Sequence, residues 1–283
     1  MHRVAILTHA RQRLDKPPYF LGAIAEVWRE RGIDVVVMSG LGPPADTDLA
    51  ILHVDLTRIP QPYLDAAARW PRVLNLRPHD IAKRAISRHC VRPDDGYQGP
   101  VIVKTDANSA GEPEARLARS RSWMRRHWHK ARKRLPGVPR RQRLNYRIFG
   151  SPQAVPAAVW RDPRFVVEQF RAERDGDDYC LRTWSFLGDA EIHSLSWSRD
   201  PVIKSRNVHR RELLGEVPAQ LRAFRAERGF DFGKFDYAIS GGEVVLYDAN
   251  RTPALRVNQP DSMAASIRTL ASGIDFYLKG NSL

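Results

Sequence analysis

Short aliphatic runs alternate with amphipathic stretches along the first quarter of the chain. The runs that predict β-strands are residues 3–8, 33–38, 48–54 and 72–76. Between them, the stripe of Leu21, Ile24 and Val27 predicts a helix over about residues 19–31, and a second helix is expected over residues 60–70. This alternation indicates a small doubly wound parallel sheet over about residues 1–78. No GxGxxG motif follows the first strand, so the dinucleotide-binding fingerprint is absent.

Beyond residue 100 the pattern changes to strands that follow one another with few helices between them. The predicted strands are residues 101–104, 164–170, 179–187, 190–197, 234–239 and 244–247. The predicted helices are residues 80–89, 153–160, 218–228 and 263–278. Gly241 and Gly242 favour a hairpin turn between the last two strands, and the Pro/Gly/Asp-rich residues 93–100 predict a linker. The expected fold class is α/β for the first third of the chain and α+β thereafter.

The composition is that of a globular protein that folds in water. Hydrophobic residues make up 42% of the chain and charged residues 28%, and no apolar run approaches the ~18–20 residues that span a bilayer. The first residues predict a strand rather than a signal peptide. Cys90 and Cys180 lie far apart without metal-ligand spacing, which argues against a disulfide framework and a structural zinc site. These features predict a reducing, cytoplasmic location.

The net charge of +14 is concentrated in one segment. Residues 115–147 hold 13 Lys and Arg and no acidic residue, so the remaining 33 basic and 32 acidic residues nearly balance. A basic surface over the whole protein is therefore excluded, and nucleic acid becomes an unfavoured partner. Apolar residues at helical spacing in this segment predict a helix surrounded by cations: Leu117, Met124, Trp128, Ala131 and Leu135.

Several roles remain open for this basic segment. It can be a lid helix with a solvated charged face, a docking site for an acidic partner or anionic substrate, or a contact for RNA or an anionic membrane. Its position in the sequence, between a polar glycine loop and the strand at 164–170, leads us to favour capture of a substrate or partner.

The chemistry-bearing residues concentrate in the predicted hairpin near the C-terminus. Asp248 and Asn250 are two residues apart and so project from the same face of their strand, and antiparallel pairing can bring Asp236 alongside them. Two carboxylates and an amide oxygen suit Mg²⁺. The alternative is that the Asp-Ala-Asn sequence simply ends a strand, as Asp and Asn often do.

Four features in this order resemble the ATP-grasp superfamily, in particular D-alanine–D-alanine ligase and glutathione synthetase. They are a small α/β domain, a strand ending in Lys104 with the loop 108–111 after it, a hinge strand at 166–170, and the metal hairpin. The resemblance implies a pre-grasp domain over residues 1–90 and a two-lobed ATP-grasp domain with antiparallel sheets over residues 91–283. The basic segment would be an insertion in the second domain. Asp248 departs from the family, which usually has Glu there.

The resemblance also implies individual roles. The residues it assigns to the phosphates are Lys83, Lys104, Lys204, Ser109 and Gly111. Those it assigns to the adenine and ribose are Glu168, Gln169, Phe170 and Asp178, with Asp177 as a near-equal candidate for the ribose. Those it assigns to Mg²⁺, with Mn²⁺ as a substitute, are Asp236, Asp248 and Asn250. Those it assigns to the substrate carboxylate or the transferring phosphoryl group are Lys234, Arg251 and Arg182.

The activity that the resemblance implies is ATP- and Mg²⁺-dependent ligation. A carboxylate would be activated as an acyl phosphate and joined to an amine, with small molecules or peptides as substrates and a homodimer as the default assembly. Two alternatives stay open, namely a small-molecule kinase on the same fold and a non-catalytic ATP-binding module whose basic helix binds nucleic acid or membrane. The joint presence of Lys104, Asp236, Asp248 and Asn250 argues against the second alternative.

Overall fold

The computed structural model describes residues 1–15, 18–118, 146–255 and 260–281. These residues form two compact units. Unit 1 consists of residues 1–81 and 172–283, and unit 2 consists of residues 82–171. The helix predicted in the basic segment falls mostly within residues 119–145, outside the described residues. The domain boundary at residue 90 stays a prediction.

The N-terminal part of unit 1 is a parallel sheet. Its strands are β1 (Arg3–Thr8), β2 (Asp34–Ser39), β3 (Leu49–Leu52) and β4 (Val73–Leu74), in the order β2-β1-β3-β4. Helices α1 (Phe20–Glu30) and α2 (Gln61–Ala67) connect them. All the neighbouring strands are parallel, which confirms the parallel sheet predicted from the alternating pattern. The sheet carries continuous apolar runs because both of its faces are covered, and β1 and β3 are almost wholly buried.

The C-terminal part of unit 1 is an antiparallel sheet. Its strands are β8 (Glu173–Asp175), β9 (Asp178–Leu187), β10 (Ala190–Ser198), β11 (Arg210–Leu213), β12 (Phe232–Ser240) and β13 (Glu243–Asn250). The order is β11-β10-β9-β12-β13, and β8 pairs with β9. Trp184, Phe186 and Phe235 pack edge to face or tilted on this sheet and are fully buried. The helix over residues Ala219–Arg228 ends at the left-handed Gly229, as the sequence predicts.

Among the described residues, three short helices belong to unit 2, and three more helices belong to the C-terminal part of unit 1. Those of unit 2 are α3 (Lys83–Ile86), α4 (Glu112–Ala118) and α5 (Ala157–Trp160). Those of unit 1 are α6 (Ala219–Arg228), α7 (Pro260–Ser272) and α8 (Ile274–Leu278). Helix α7 packs on α1, and the buried Trp28 indole donates a hydrogen bond of 2.8 Å to the Ala271 carbonyl. Within the described ranges, no helix is long and apolar enough to cross a membrane.

Unit 2 is built on a three-stranded antiparallel sheet. Its strands are β5 (Val101–Thr105), β6 (Arg147–Phe149) and β7 (Phe165–Gln169), in the order β6-β5-β7. Val101, Val103 and Val167 form its core with residues of α5. The mixed architecture confirms the predicted fold class, with one parallel sheet followed by antiparallel ones.

Several element boundaries differ from the sequence expectation. The helix expected over 80–89 is a single turn, α3, and the one over 153–160 is a 3₁₀ turn at Pro152–Ala154 followed by α5. The helix expected over 263–278 is two helices, because Gly273 lies against the turn between β9 and β10. A Cβ at Gly273 would lie 1.9 Å from the Leu187 carbonyl oxygen. The backbone therefore approaches more closely there than any residue but glycine permits.

Candidate functional site

The hairpin of β12 and β13 brings the predicted metal-ligating positions together. Asp236 lies directly opposite Asp248, and Lys234 lies directly opposite Asn250. A β-bulge between Asp236 and Tyr237 creates this register. On the turn side of the bulge Tyr237 pairs with Leu246, and that register, if continued, would set Asp236 opposite Tyr247. The extra residue in β13 therefore moves Asp248 by one position, so that the two carboxylates face each other.

Asp236 is held by two neighbours on its own sheet. Its Oδ2 atom lies 2.8 Å from Lys234 Nζ, and its Oδ1 atom accepts a hydrogen bond of 3.0 Å from Thr183 Oγ1. Like charges directly opposite one another destabilise a strand pair unless a cation compensates them. Lys234 supplies one such positive charge, 2.8 Å from Asp236 Oδ2.

Asn250 ends the strand and also offers a third oxygen. Its Oδ1 atom accepts a hydrogen bond of 2.8 Å from the Thr252 backbone N–H. This is the turn-forming contact expected of Asn at the end of a strand. An amide oxygen has two lone pairs, so the same atom can accept this bond and also ligate a metal.

The donor set fits Mg²⁺ only with Asn250 included. No group of three or more His, Cys, Asp or Glu side chains able to hold a metal occurs in the described part of the chain. Asp236 and Asp248 supply two hard oxygen ligands from facing positions, and the Asn250 amide oxygen supplies a third from the same end of the hairpin. These residues would hold the ion, and Mg²⁺ retains water or phosphate oxygens in its remaining positions.

Arg251 is fully buried, unlike an ordinary substrate-facing side chain. Its Nη1 atom donates a hydrogen bond of 2.9 Å to the Pro78 carbonyl, and its Nη2 atom donates to the Leu56 carbonyl. These carbonyls belong to the loops that follow β4 and β3. Arg251 therefore fastens the segment after the hairpin to the edge of the parallel sheet, and its predicted role in substrate binding stays a prediction.

Arg182 is bound to Glu173 in a two-pronged ion pair. The three N–O distances lie between 2.7 and 3.0 Å, and Glu173 also accepts a hydrogen bond of 2.7 Å from the Ile239 backbone N–H. The hydrogen bond with Glu173 raises the pKa of Arg182 above its usual value. Arg182 pairs across the sheet with Tyr237, next to Asp236. It therefore lies one position from the carboxylate site, with its charge neutralised by Glu173.

Two further predicted site residues of unit 1, Asp178 and Lys204, lie outside the β12–β13 hairpin. Asp178 begins β9, and its Oδ1 atom lies 3.1 Å from both Arg199 Nε and His209 Nε2. Lys204 precedes a short 3₁₀ turn, and its backbone N–H donates a hydrogen bond of 2.7 Å to Asn207 Oδ1. Their expected roles toward ribose and phosphate stay predictions.

In unit 2 the structure joins two residues that the resemblance assigns to opposite ends of ATP. Lys104 Nζ lies 2.7 Å from Glu168 Oε2, and their side chains are only 5% and 4% exposed. Glu168 pairs with Ile102, and Lys104 lies two residues further along β5, on the same face. The second carboxylate oxygen, Oε1, is buried without a hydrogen-bond partner among the described residues. It is therefore an acceptor that a ligand N–H group can satisfy.

Two backbone N–H groups of the hinge strand, which are expected to bind adenine, already have hydrogen-bond acceptors within the protein. The Gln169 and Phe170 N–H groups donate to the His89 and Pro100 carbonyls at 2.9 and 2.8 Å. Hydrogen bonds from these two N–H groups to adenine would have to replace those bonds. Lys83 is also buried, and its backbone N–H donates to the Asp106 carbonyl at 2.9 Å.

The loop at residues 108–111 adopts an unusual backbone. Ser109, Ala110 and Gly111 have φ values of 47°, 58° and 73°, so three successive residues are left-handed. The left-handed conformation costs roughly 1–2 kcal/mol for a residue with a Cβ atom. Backbone strain of this kind concentrates at functional sites. The phosphate-loop role expected of Ser109 and Gly111 stays a prediction.

A buried polar cluster in unit 1 contains functional candidates that the sequence pattern did not reveal. Asp55 accepts a hydrogen bond of 2.5 Å from Tyr19 Oη and one of 2.9 Å from Thr252 Oγ1. Its backbone N–H donates to Gln12 Oε1 at 2.8 Å. Their places in the sequence could have identified these candidates. Gln12 follows β1 and Asp55 follows β3, at the carboxyl edge where parallel sheets bind ligands.

His53 belongs to the same cluster and is fully buried. Gln12 Nε2 lies 3.0 Å from its Nδ1 atom, and burial lowers the pKa of His53 to about 3. Because Gln12 Oε1 accepts from the Asp55 N–H, the Gln12 amide presents its NH₂ group to His53. The imidazole therefore accepts at Nδ1 and carries its hydrogen on Nε2.

Comparison with known proteins finds likeness in structure only. No model of a known protein family matches the sequence, and no curated protein is detectably similar to it.

Solved structures are similar over nearly their whole length. A RimK domain protein ATP-grasp from Sphaerobacter thermophilus has a TM-score of 0.50 at 16% identity, covering 96% of this chain and 99% of that one. D-alanine–D-alanine ligase from Bacillus anthracis has a TM-score of 0.52 at 9% identity, covering 99% of each chain. A Chryseobacterium gregarium RiPP-associated ATP-grasp ligase, in complex with ADP and a leader and core peptide, has a TM-score of 0.50 at 10% identity. It covers 100% of this chain and 98% of that one.

Proposed function

Because the chain has the ATP-grasp fold, which it shares with these structures, we propose that it is an ATP- and Mg²⁺-dependent ligase that joins a carboxylate to an amine. The observation that carries the proposal is the register of the β12–β13 hairpin, which sets Asp236 opposite Asp248 and Lys234 opposite Asn250. β-Bulges are over-represented next to active sites, where they re-aim a side chain, and this supports the proposal.

The proposed reaction has two steps. The γ-phosphoryl group of ATP passes to an oxygen of the substrate carboxylate, and ADP leaves. The amine nitrogen then attacks the carbonyl carbon of the acyl phosphate, inorganic phosphate leaves, and the amine gives up a proton. Mg²⁺, when bound, neutralises phosphate charge.

The residues of the chain would contribute by binding and orientation. Asp236, Asp248 and Asn250 would hold the ion, and Lys234, beside them, would stabilise the charge on the transferring phosphoryl group. Lys104 would exchange its contact with Glu168 for a phosphate oxygen, while the unpartnered Glu168 Oε1 would accept a hydrogen bond from the adenine amino group. Ser109 and Gly111 would present backbone N–H groups to the phosphates.

The substrate class follows from the comparisons only as a proposal. One similar structure is a ligase that holds a leader and core peptide together with ADP, and another is a ligase that is named for D-alanine. We therefore propose peptides and amino acids as the carboxylate and amine substrates to be screened first. Dependence of ADP formation on the amine separates a ligase from a kinase, because a kinase releases ADP with an alcohol substrate alone.

Calorimetric titration with ATP and Mg²⁺ tests the site assignment. We expect Asp248→Ala to weaken binding of the Mg²⁺ complex of ATP by roughly tenfold or more, because one of two carboxylate ligands is lost. Asp189→Ala is the matched control, since Asp189 is exposed in the turn between β9 and β10. Unchanged binding in Asp248→Ala, or an equal loss in both variants, would show that the hairpin is not the metal site.

A further inference from the structure

Thr252 connects the Asn250 amide with the buried Asp55 carboxyl group. Its backbone N–H donates to Asn250 Oδ1 at 2.8 Å, and its hydroxyl oxygen lies 2.9 Å from Asp55 Oδ1 and 3.4 Å from Asn250 Oδ1. Asp55 is only 6% exposed and Thr252 only 3% exposed. The three residues lie in unit 1, and the contact spans 197 residues of sequence.

The single hydrogen of the Thr252 hydroxyl has two acceptors to choose from. The distance of 2.9 Å to the Asp55 carboxyl oxygen is that of a good hydrogen bond, whereas 3.4 Å to the Asn250 amide oxygen is at the limit of one. The hydrogen therefore points to Asp55, and Asn250 Oδ1 accepts only the backbone bond.

We propose that Asp55 is a positioning residue for the metal site, because it draws the Thr252 hydroxyl hydrogen away and so keeps one lone pair of Asn250 Oδ1 open to the ion. This inference rests on the proposed function, since it assigns Asn250 to the metal. It assigns a role to a residue of the loop that follows β3, which acts on the ion only through Thr252 and Asn250. Outer residues that orient ligands in this way typically change metal affinity by 10–100-fold when they are replaced.

Removing Asp55 has a specific consequence under this proposal. The hydroxyl hydrogen of Thr252 is left with Asn250 Oδ1 as its acceptor, and a second hydrogen bond then occupies the lone pair that the ion needs. Removing the hydroxyl as well, by Thr252→Val, restores the open lone pair while leaving the backbone N–H bond in place. Valine has nearly the shape of threonine, so the second change does not rebuild any contact that Asp55 made.

The variants also remove the Tyr19 hydroxyl, which would otherwise lose its acceptor together with Asp55. Tyr19 Oη donates to Asp55 Oδ2, so Tyr19→Phe is combined with Asp55→Ala. The set is wild type, Tyr19→Phe, Tyr19→Phe/Asp55→Ala, and the triple variant that adds Thr252→Val, with Thr252→Val alone as a fifth protein. Thermal unfolding of each one shows whether it folds.

Calorimetry measures the affinity of each protein for the ATP analogue AMP-PNP with Mn²⁺ and without metal. The ratio of the two affinities reports the metal contact without any turnover. We expect the ratio to fall roughly tenfold in Tyr19→Phe/Asp55→Ala, to return to within about twofold of wild type in the triple variant, and to be unchanged in Tyr19→Phe and in Thr252→Val.

The other outcomes would contradict either the role of Asp55 or the proposed metal site. An unchanged ratio in Tyr19→Phe/Asp55→Ala, or a triple variant that stays as weak as the double one, overturns the role of Asp55. If the double variant does not fold, a lowered ratio in the nearly isosteric Thr252→Val alone overturns it, because the hydroxyl itself would then be supporting Asn250. A wild-type protein whose nucleotide affinity does not depend on Mn²⁺ would instead refute the proposed metal site.

Discussion

At the residue scale, the buried pair of Lys104 and Glu168 combines a structural task with a proposed ligand-binding one. Both side chains are almost fully buried, and each neutralises the charge of the other at 2.7 Å. Removing one partner of such a pair leaves an uncompensated buried charge. Loss of nucleotide binding in Lys104→Ala would therefore mix damage to unit 2 with loss of a phosphate contact, and Asp248 gives the cleaner test.

We predict that Lys104→Ala lowers the free energy of unfolding by about 3–5 kcal/mol, because Glu168 is then buried without its counter-ion. The double variant Lys104→Met/Glu168→Gln should recover most of this loss, since no net charge remains buried. Urea unfolding of both variants measures the difference. Lys279→Ala, at an exposed lysine, is the control and should change stability by less than about 0.5 kcal/mol. Equal losses in the single and double variants would contradict the prediction.

The sequence allowed some of these residues to be placed and not others. Asp236, Asp248 and Asn250 could be grouped because residues two apart share a strand face and because the hairpin turn is local. The pairing of Lys104 with Glu168 could not be derived, since it depends on the register of two strands 64 positions apart. The burial of Arg251 was equally hidden, because an arginine after a strand normally lies in solvent and here finds two carbonyls from distant loops.

At the element scale, the apolar runs predicted the long strands well and the short ones poorly. Strands β1, β5, β7, β9 and β10 lie within a residue or two of the expected bounds, because each buries a continuous or alternating apolar face. Strands β6, β8 and β11 are only three or four residues long, and β8 and β11 are also largely polar, so their conformation comes from the neighbouring strand. The bulge in β13 leaves no mark in composition, although it sets the geometry of the site.

The junction of α7 and α8 depends on one glycine. Gly273 has an ordinary helical backbone, but the Leu187 carbonyl oxygen occupies the place of a Cβ atom. We predict that Gly273→Ala lowers the free energy of unfolding by about 3 kcal/mol, because the β9–β10 turn must move away. Gly42→Ala is the matched control: nothing lies within 4 Å of that position, and stability should change by less than about 1 kcal/mol. Thermal unfolding of both variants tests this prediction. A similar shift of the unfolding temperature in the two variants would contradict the close approach of the Leu187 carbonyl to Gly273.

At the scale of the whole molecule, stability should depend on pH through His53. Burial holds its pKa at about 3, whereas an unfolded histidine titrates near 6.5. Between these values the unfolded chain binds a proton that the folded chain does not. Stability from this group is therefore complete above pH 6.5 and is lost as the pH falls toward 3, by at most about 1.4 kcal/mol per unit.

The predicted test compares urea unfolding from pH 7.5 to 4.5 in wild type and His53→Asn. Asparagine retains an acceptor for the Gln12 amide but has no titrating group, so the variant should show the flatter pH dependence. His79→Asn removes an exposed histidine and serves as the control. Parallel curves for wild type and His53→Asn would show that His53 is not held neutral.

Unit 1 consists of two segments of the chain that are separated by the whole of unit 2. Unit 1 can therefore be completed only after unit 2 has been synthesised. The indole of Trp28 and its acceptor Ala271 are 243 residues apart, and a ribosome that adds about 5–20 residues per second needs roughly 10 to 50 s to cover that distance. During this time the apolar face of α1 has no α7 to cover it, whereas every strand of unit 2 has already been made. The nascent N-terminal sheet therefore waits with an exposed apolar helix, and this interval is when the protein most needs protection from aggregation.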